Sequence, residues 1–241
     1  MPPHYNENVN PSSDDEDHVT VLGFGSLMSE KSSRTTFPNL VNFRLGRVPN
    51  YRRIFAHPSA IFFRHNIHCM DTLQIASLSA EYSPEDSFVC SVFEVPAEGI
   101  LQDVDTAAPS EAFLKREASY DIQYVHYNEM NGKRRKGILC LASTDEEYIN
   151  KWGYERFSAN CKHWGKQSIW NWEHDSGLKP NAVYLRHCLI AARKMGNECY
   201  DSLLDDTFLV DRETTIREYL EEYPEVWDSK PPATLALRYG G

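Results

Sequence analysis

The stretch Val19-Thr20-Val21-Leu22-Gly23-Phe24-Gly25-Ser26-Leu27-Met28 decides how the rest of the chain is read. Its first half is a short β-branched, apolar run that predicts a buried strand, and Gly23, Gly25 and Ser26 turn that strand directly into a tight loop. A dinucleotide fingerprint would need a third glycine at position 28, where Met28 stands, and an acid about twenty residues further on. A nucleophile elbow would need glycines two residues either side of Ser26, and Phe24 and Met28 occupy those places. No Gly-Lys-Ser/Thr follows for a phosphate loop. What remains is a strand end where glycines let a ligand approach the backbone and N–H groups converge on one anionic atom, or else an ordinary glycine turn.

Outward from this loop, residues 73–80, 88–95, 121–127 and 137–141 are rich in β-branched and aromatic residues and predict further strands. Asn131-Gly132 between the last two is a hairpin signal, and Lys133-Arg134-Arg135-Lys136 beside it reads as a solvated hairpin shoulder. Helices follow from their caps: Ser110 before residues 111–120, Thr144 before 145–152, and Pro180 opening a helix through Val183, Leu185, Leu189 and Ile190 that Gly196 terminates. A last helix is expected from Asp211 as cap to about Glu222. The pattern is an α+β fold: a mostly antiparallel sheet or barrel, then a helical last third.

The 241 residues are 41% hydrophobic, enough for a sizeable core, and no internal repeat divides them. Their net charge of −10 opposes binding to nucleic acid or anionic membrane surfaces. Apolar runs stop far short of the roughly 18–20 residues that cross a bilayer. Residues 1–17, with Asp14-Asp15-Glu16-Asp17, read as a disordered acidic tail. The six cysteines form no CxxC pair and sit mostly in apolar stretches, which predicts buried free thiols and a cytoplasmic setting. His65, His68 and Asp71, or Cys161 with His163, lack further ligands at metal-site spacing, so no metal site is expected.

A second constellation lies at Phe113-Leu114-Lys115-Arg116-Glu117-Ala118-Ser119-Tyr120. On a helix, Phe113, Glu117 and Tyr120 would share one face, with a carboxylate between two aromatics. Desolvation there would suit Glu117 to general base and acid work near neutral pH; a solvated glutamate paired with a neighbouring cation is the competing account.

The loop 21–28 resembles the Tyr-Gly-Ser-Leu/Asn loop of the γ-glutamylcyclotransferase-like superfamily. Arg47-Val48-Pro49-Asn50-Tyr51-Arg52-Arg53-Ile54-Phe55 is similar to the Arg-Val-x-Gly-Tyr-x-Arg-x-Phe stretch of its ChaC-type branch, and residues 113–117 to the segment carrying that branch's catalytic glutamate. Phe24 stands where the pattern has Tyr, and Asn50 where it has Gly.

The resemblance implies a barrel of mixed or antiparallel strands with flanking helices over residues 18–196, leaving 197–241 as a helical C-terminal extension packed on it. It implies an enzyme that cyclises a small γ-glutamyl compound (glutathione, a γ-glutamyl amino acid or a γ-glutamyl amine) to 5-oxoproline, with release of the amine part and without metal or cofactor. Glu117 would be the catalytic acid/base, with Gly23, Phe24, Gly25, Ser26, Leu27, Tyr51, Arg53 and Tyr120 around the substrate. A non-catalytic module on the same fold, binding a carboxylate ligand or a protein, is the alternative. Oligomeric state is not specified by the sequence.

Overall fold

The computed structural model describes residues 18–98, 100–103, 108–163 and 168–241; the expected acidic tail lies outside them. The strands are β1 (His18–Gly23), β2 (Val41–Pro58), β3 (Gln74–Pro96), β4 (Leu101–Asp103), β5 (Ala108–Pro109), β6 (Asp121–Glu129), β7 (Arg134–Leu141), β8 (Lys179–Pro180) and β9 (Thr207–Phe208). The helices are α1 (Glu30–Thr36), α2 (Ala60–Arg64), α3 (Glu111–Arg116), α4 (Asp145–Trp152), α5 (Tyr154–His163), α6 (Ala182–Lys194), α7 (Asn197–Asp205), α8 (Ile216–Glu222) and α9 (Ala236–Tyr239).

Five strands close into a ring. β3 is antiparallel to both β1 and β2, β1 runs parallel to β7, β7 pairs antiparallel with β6, and β6 returns to β2 at Gly46 and Arg47. The result is a mixed barrel with β8 and β9 added at its flanks and helices around it, the α+β architecture the sequence leads one to expect. Closure removes the free edges that an open sheet would expose.

Alternation along the strands sorts side chains between two apolar clusters. Val19 and Val21 of β1 join Phe93 and Val95 of β3, whereas Leu22 faces the larger cluster with Phe88 and Val92. That larger cluster continues without a break into Leu185 and Leu189 of α6, Leu203 of α7, Ile216 of α8 and Tyr239 of α9. Residues 197–241 are thus part of the same core as the barrel, and β9 extends the sheet by pairing with Arg53 and Ile54 of β2.

Several local expectations need correction. Residues 73–80 and 88–95 belong to one long strand: the polar stretch between them stays extended because Tyr82 and Ser87 pair with Tyr51 and Pro49, while residues 83–86 have no partner in β2. β2 was not expected as a strand, since its four arginines and Pro49 obscure the apolar alternation. Opposite residues 83–86, Asn50 adopts φ 64°, a left-handed conformation that Asn tolerates better than most residues and that glycine adopts freely.

The helix expected over 111–120 ends at Arg116. Ser110 caps it as anticipated, accepting from the Phe113 N–H, but Asp121 must pair with Leu141, and this ladder draws residues 117–120 into a turn. Near the C-terminus, Thr215 rather than Asp211 caps the helix, through a reciprocal bond with Glu218; Asp211 caps the preceding turn at Glu213 and Thr214. By contrast, Thr144 and Glu147 form a capping box at the expected start of α4, and Asn181 caps α6 just after Pro180. Asn131-Gly132 makes the expected hairpin, with Gly132 at φ 87°. Helix α7 was not anticipated.

Candidate active site

Where β1 ends, the chain turns through Phe24 and Gly25 into a single helical turn, Ser26–Met28, whose Met28 is buried with Phe24 in the larger core cluster. Gly23 is obligatory there because a β-carbon would meet Ser91 Oγ at 2.5 Å and the Leu27 side chain at 2.6 Å. Gly25 is equally constrained: a β-carbon would overlap the Tyr184 hydroxyl. These two close approaches are the physical content of the glycine pattern in the sequence.

The loop's carbonyls face protein donors. Gly23 O lies 3.0 Å from Ser91 Oγ, Gly25 O accepts from the Met28 N–H at 3.0 Å, and Leu27 O lies 2.8 Å from Ser33 Oγ and 2.9 Å from Ser91 Oγ. Ser26 O lies 3.3 Å from His187 Nε2. The other nitrogen of His187 sits 3.1 Å from the Gly241 N–H and must accept from it, so Nε2 carries the proton and donates to Ser26. Burial pushes His187 down to about 4, which keeps it neutral in this role. Among the described residues, none accepts from the N–H groups of Gly25, Ser26 and Leu27.

Those residues line a cleft of about 780 Å³. Glu117 lines it too, from the turn after α3: its N–H donates to Phe113 O, its carbonyl accepts from Tyr120 N–H, and Trp152 anchors the turn through Ala118 O at 2.9 Å. Phe113 and Tyr120 still flank the carboxylate in sequence, but they pack into different clusters, so no single helix face presents all three. Tyr120 reaches the cleft and donates its hydroxyl proton to Leu78 O at 3.1 Å. Burial first, and the negative charge of Glu117 second, push its ionisation far above the ordinary value, so the phenol stays protonated.

Of the nine residues singled out in the sequence, Phe24, Gly25, Ser26, Leu27, Glu117 and Tyr120 line this cleft, with Gly23 supporting the loop. Tyr51 and Arg53 do not line it, and both are corrections. Tyr51 packs edge-on against Tyr82 on the far part of β2, ring centres 5.8 Å apart. Arg53 is wholly buried, donating to Val89 O at 3.1 Å and to Ser202 Oγ at 3.0 Å and the Ser202 carbonyl, with its guanidinium 5.0 Å from the Phe88 ring centre. It ties β2 and β3 to α7.

The structure adds Tyr184, Arg64, Arg156 and Arg238 to the lining. No local motif marks them, because each comes from a different element. Among the described residues no three or more His, Cys, Asp or Glu side chains group as a metal site; α2 ends before His65, whose Nδ1 lies 3.2 Å from Thr234 Oγ1.

No protein-family model matches the chain, and no curated protein matches it. Solved structures with a similar course include an uncharacterized human protein (12% identity, 75% of this chain and 81% of that one, TM-score 0.48). A glutathione-specific γ-glutamyl cyclotransferase from yeast shares 14% identity over 89% of this chain and 97% of its own, TM-score 0.46. A third, a γ-glutamyl cyclotransferase, shares 11% identity over 63% and 89%, TM-score 0.39. The residues of the cleft carry the functional reading.

Proposed function

We propose that the protein is a γ-glutamylcyclotransferase, converting a γ-glutamyl compound to 5-oxoproline with release of the amine part. The observation that carries this reading is that Glu117 and the loop residues Gly25–Leu27, whose N–H groups have no acceptor among the described residues, line one cleft although they are far apart in the chain. The cyclisation needs little more than that pair. The substrate's own α-amine attacks its γ-carbonyl, so holding the folded-back conformer supplies much of the acceleration.

Glu117 takes the proton from the attacking nitrogen. The carbonyl oxygen, now an oxyanion, accepts hydrogen bonds from the loop N–H groups, with the Ser26 side chain as a further polar contact. Glu117 then returns the proton to the departing nitrogen as the carbon–nitrogen bond breaks. Neither metal nor redox cofactor enters this sequence of steps. Phe24, in place of the tyrosine of the resembled loop, offers no hydroxyl and packs edge-on against Phe88. Tyr120, its proton held by Leu78 O, shapes the wall beside Glu117. The six free cysteines support a reducing, cytoplasmic setting, and no helix among the described residues is long and apolar enough to cross a membrane.

The test is 5-oxoproline release from glutathione, γ-glutamyl amino acids and γ-glutamyl amines by wild type and Glu117→Gln. Removing a general acid/base lowers kcat by about 10²–10⁴-fold while substrate binding persists. Equal release by both proteins overturns Glu117 as the base. No release by a folded wild type transfers the weight to a binding module.

A further inference from the structure

Two charged runs of opposite sign take no part in the cleft: Asp14-Asp15-Glu16-Asp17 and Lys133-Arg134-Arg135-Lys136. Residues 1–17 hold five acids and neither lysine nor arginine. The four cations lie at the β6–β7 turn and the start of β7, and they differ in what surrounds them. Arg135 Nε lies 3.3 Å from Glu129 Oε1. Lys133, Arg134 and Lys136 are exposed and make no ion pair with any described residue. Their neighbours across the hairpin supply no carboxylate either, since Arg134 stands opposite Asn128 and Lys136 opposite His126.

The other neighbour of β7 is β1. These two strands are parallel with Val21 opposite Ile138, and the same register sets Val19 beside Lys136. Side chains two residues apart share a face, so Val19, Val21, Lys136 and Ile138 belong to one side of the sheet, as does Arg134. β1 begins at His18, so the acidic run joins the fold at the end of β1 that lies beside the unpaired cations.

We propose that residues 14–17 continue this register and dock on the shoulder formed by Lys133, Arg134 and Lys136, with Asp17 opposite Arg134. Paired strands lie about 4.8 Å apart, within the reach of an arginine or lysine side chain. The occupant is the chain's own segment, because attachment next to the shoulder gives it an effective concentration of the order of millimolar or more, whereas a free polyanion must also approach a protein of net charge −10. The clasp covers the shoulder against other anions and holds the start of β1, whose far end leads into the Gly23–Leu27 loop. It is independent of the chemistry assigned to the cleft.

The test uses the full chain and a carbodiimide, which joins a carboxylate to a lysine amine in contact with it, the linked peptides being read by mass spectrometry. At low salt the dominant products join residues 14–17 to Lys133 or Lys136, and they are lost at about 1 M salt, where the screening length falls to about 3 Å. Arg134→Lys gains a link between Asp17 and position 134, which reports the register itself. A mixture of isotope-labelled and unlabelled protein gives links within one chain. Links spread evenly over the other lysines, links between chains, or no link from Asp17 to position 134 overturn the clasp. Retention on heparin, a sulfated polyanion, reads the covering. Asp14→Asn/Asp15→Asn/Glu16→Gln/Asp17→Asn raises retention, and adding Lys133→Gln/Arg134→Gln/Lys136→Gln abolishes the rise. The same loss of charge at the exposed Glu213, Glu221, Glu222 and Glu225 does not reproduce it. Retention of wild type through the shoulder, unchanged by the substitutions at 14–17, overturns the clasp and assigns the shoulder to an external polyanion.

Discussion

Gly25 and Arg53, both marked by the sequence, owe their places to opposite causes, one to a missing side chain and the other to a buried one. Gly25 matters through what its missing side chain admits, the Tyr184 hydroxyl. Gly25→Ala would force that contact apart and cost about 1–3 kcal/mol, with the loop N–H groups displaced and turnover reduced. Tyr184→Phe removes the offending oxygen, so the double variant should be more stable than Gly25→Ala alone; chemical denaturation of the four proteins measures the coupling. A purely additive cycle would refute the steric account. Arg53, by contrast, was read as a charge for substrate because an arginine in a motif suggests chemistry. Its environment is dry, and burial lowers its ionisation tendency while Val89, Ser202 and the Phe88 ring compensate. Arg53→Met leaves those buried acceptors unsatisfied and should destabilise the fold by about 3 kcal/mol. The Glu117-dependent turnover of the remaining folded protein should be near wild type, measured below the unfolding transition.

At the scale of elements, the sequence was legible wherever a local signal agreed with the tertiary pairing. Thr144 with Glu147, Asn131-Gly132 and the strand ending at Gly23 carry their geometry in a few residues. The long β2–β3 ribbon and the early end of α3 depend on partners distant in sequence, so local propensity could not anticipate them. The same holds for the cleft: its loop and Glu117 were visible as motifs, while Tyr184 and the three arginines were not. Helix α6 also supplies a latch, since His187 joins the loop carbonyl of Ser26 to the Gly241 N–H. Its folded value of about 4 lies below the ordinary 6.5, so the unfolded chain binds the proton more tightly. The stability held by this neutral imidazole is complete above about pH 6.5 and is lost as pH falls towards 4, up to about 3 kcal/mol. Urea midpoints across that window should show the decline, and His187→Gln should flatten it; an unchanged slope in the variant would assign the decline to other groups.

For the whole molecule, the decisive feature is that a single core passes from the barrel into the C-terminal segment. The sequence suggested a domain over residues 18–196 with residues 197–241 packed on it, because the matched motifs end before the last helices. In the structure Leu203, Ile216, Tyr219 and Tyr239 are at most 2% exposed and share a cluster with Leu22, Ile54 and Phe88, and Ser202 accepts from one nitrogen of the buried Arg53 guanidinium. Cutting the chain after Gly196 would expose those partners and strip the buried guanidinium of its acceptors on α7. Each large apolar side chain lost or uncovered costs about 1.5–3 kcal/mol, so losing several removes an amount comparable to the whole of the roughly 5–15 kcal/mol that folded domains usually hold. Residues 18–196 alone should therefore lack cooperative unfolding and bind a hydrophobic dye, while the full chain unfolds in one urea transition seen alike by fluorescence and circular dichroism. A shorter cut after Pro232 removes α9 with Arg238, the Tyr239 ring and the Gly241 contact, but leaves Leu203, Ile216 and Tyr219 in place. That protein should fold with reduced stability and lose turnover, because the part of the cleft wall formed by Arg238 and Tyr239 and the latch on the Ser26 carbonyl go together. Full activity in the shorter protein would mean that the cleft is complete without its C-terminal wall.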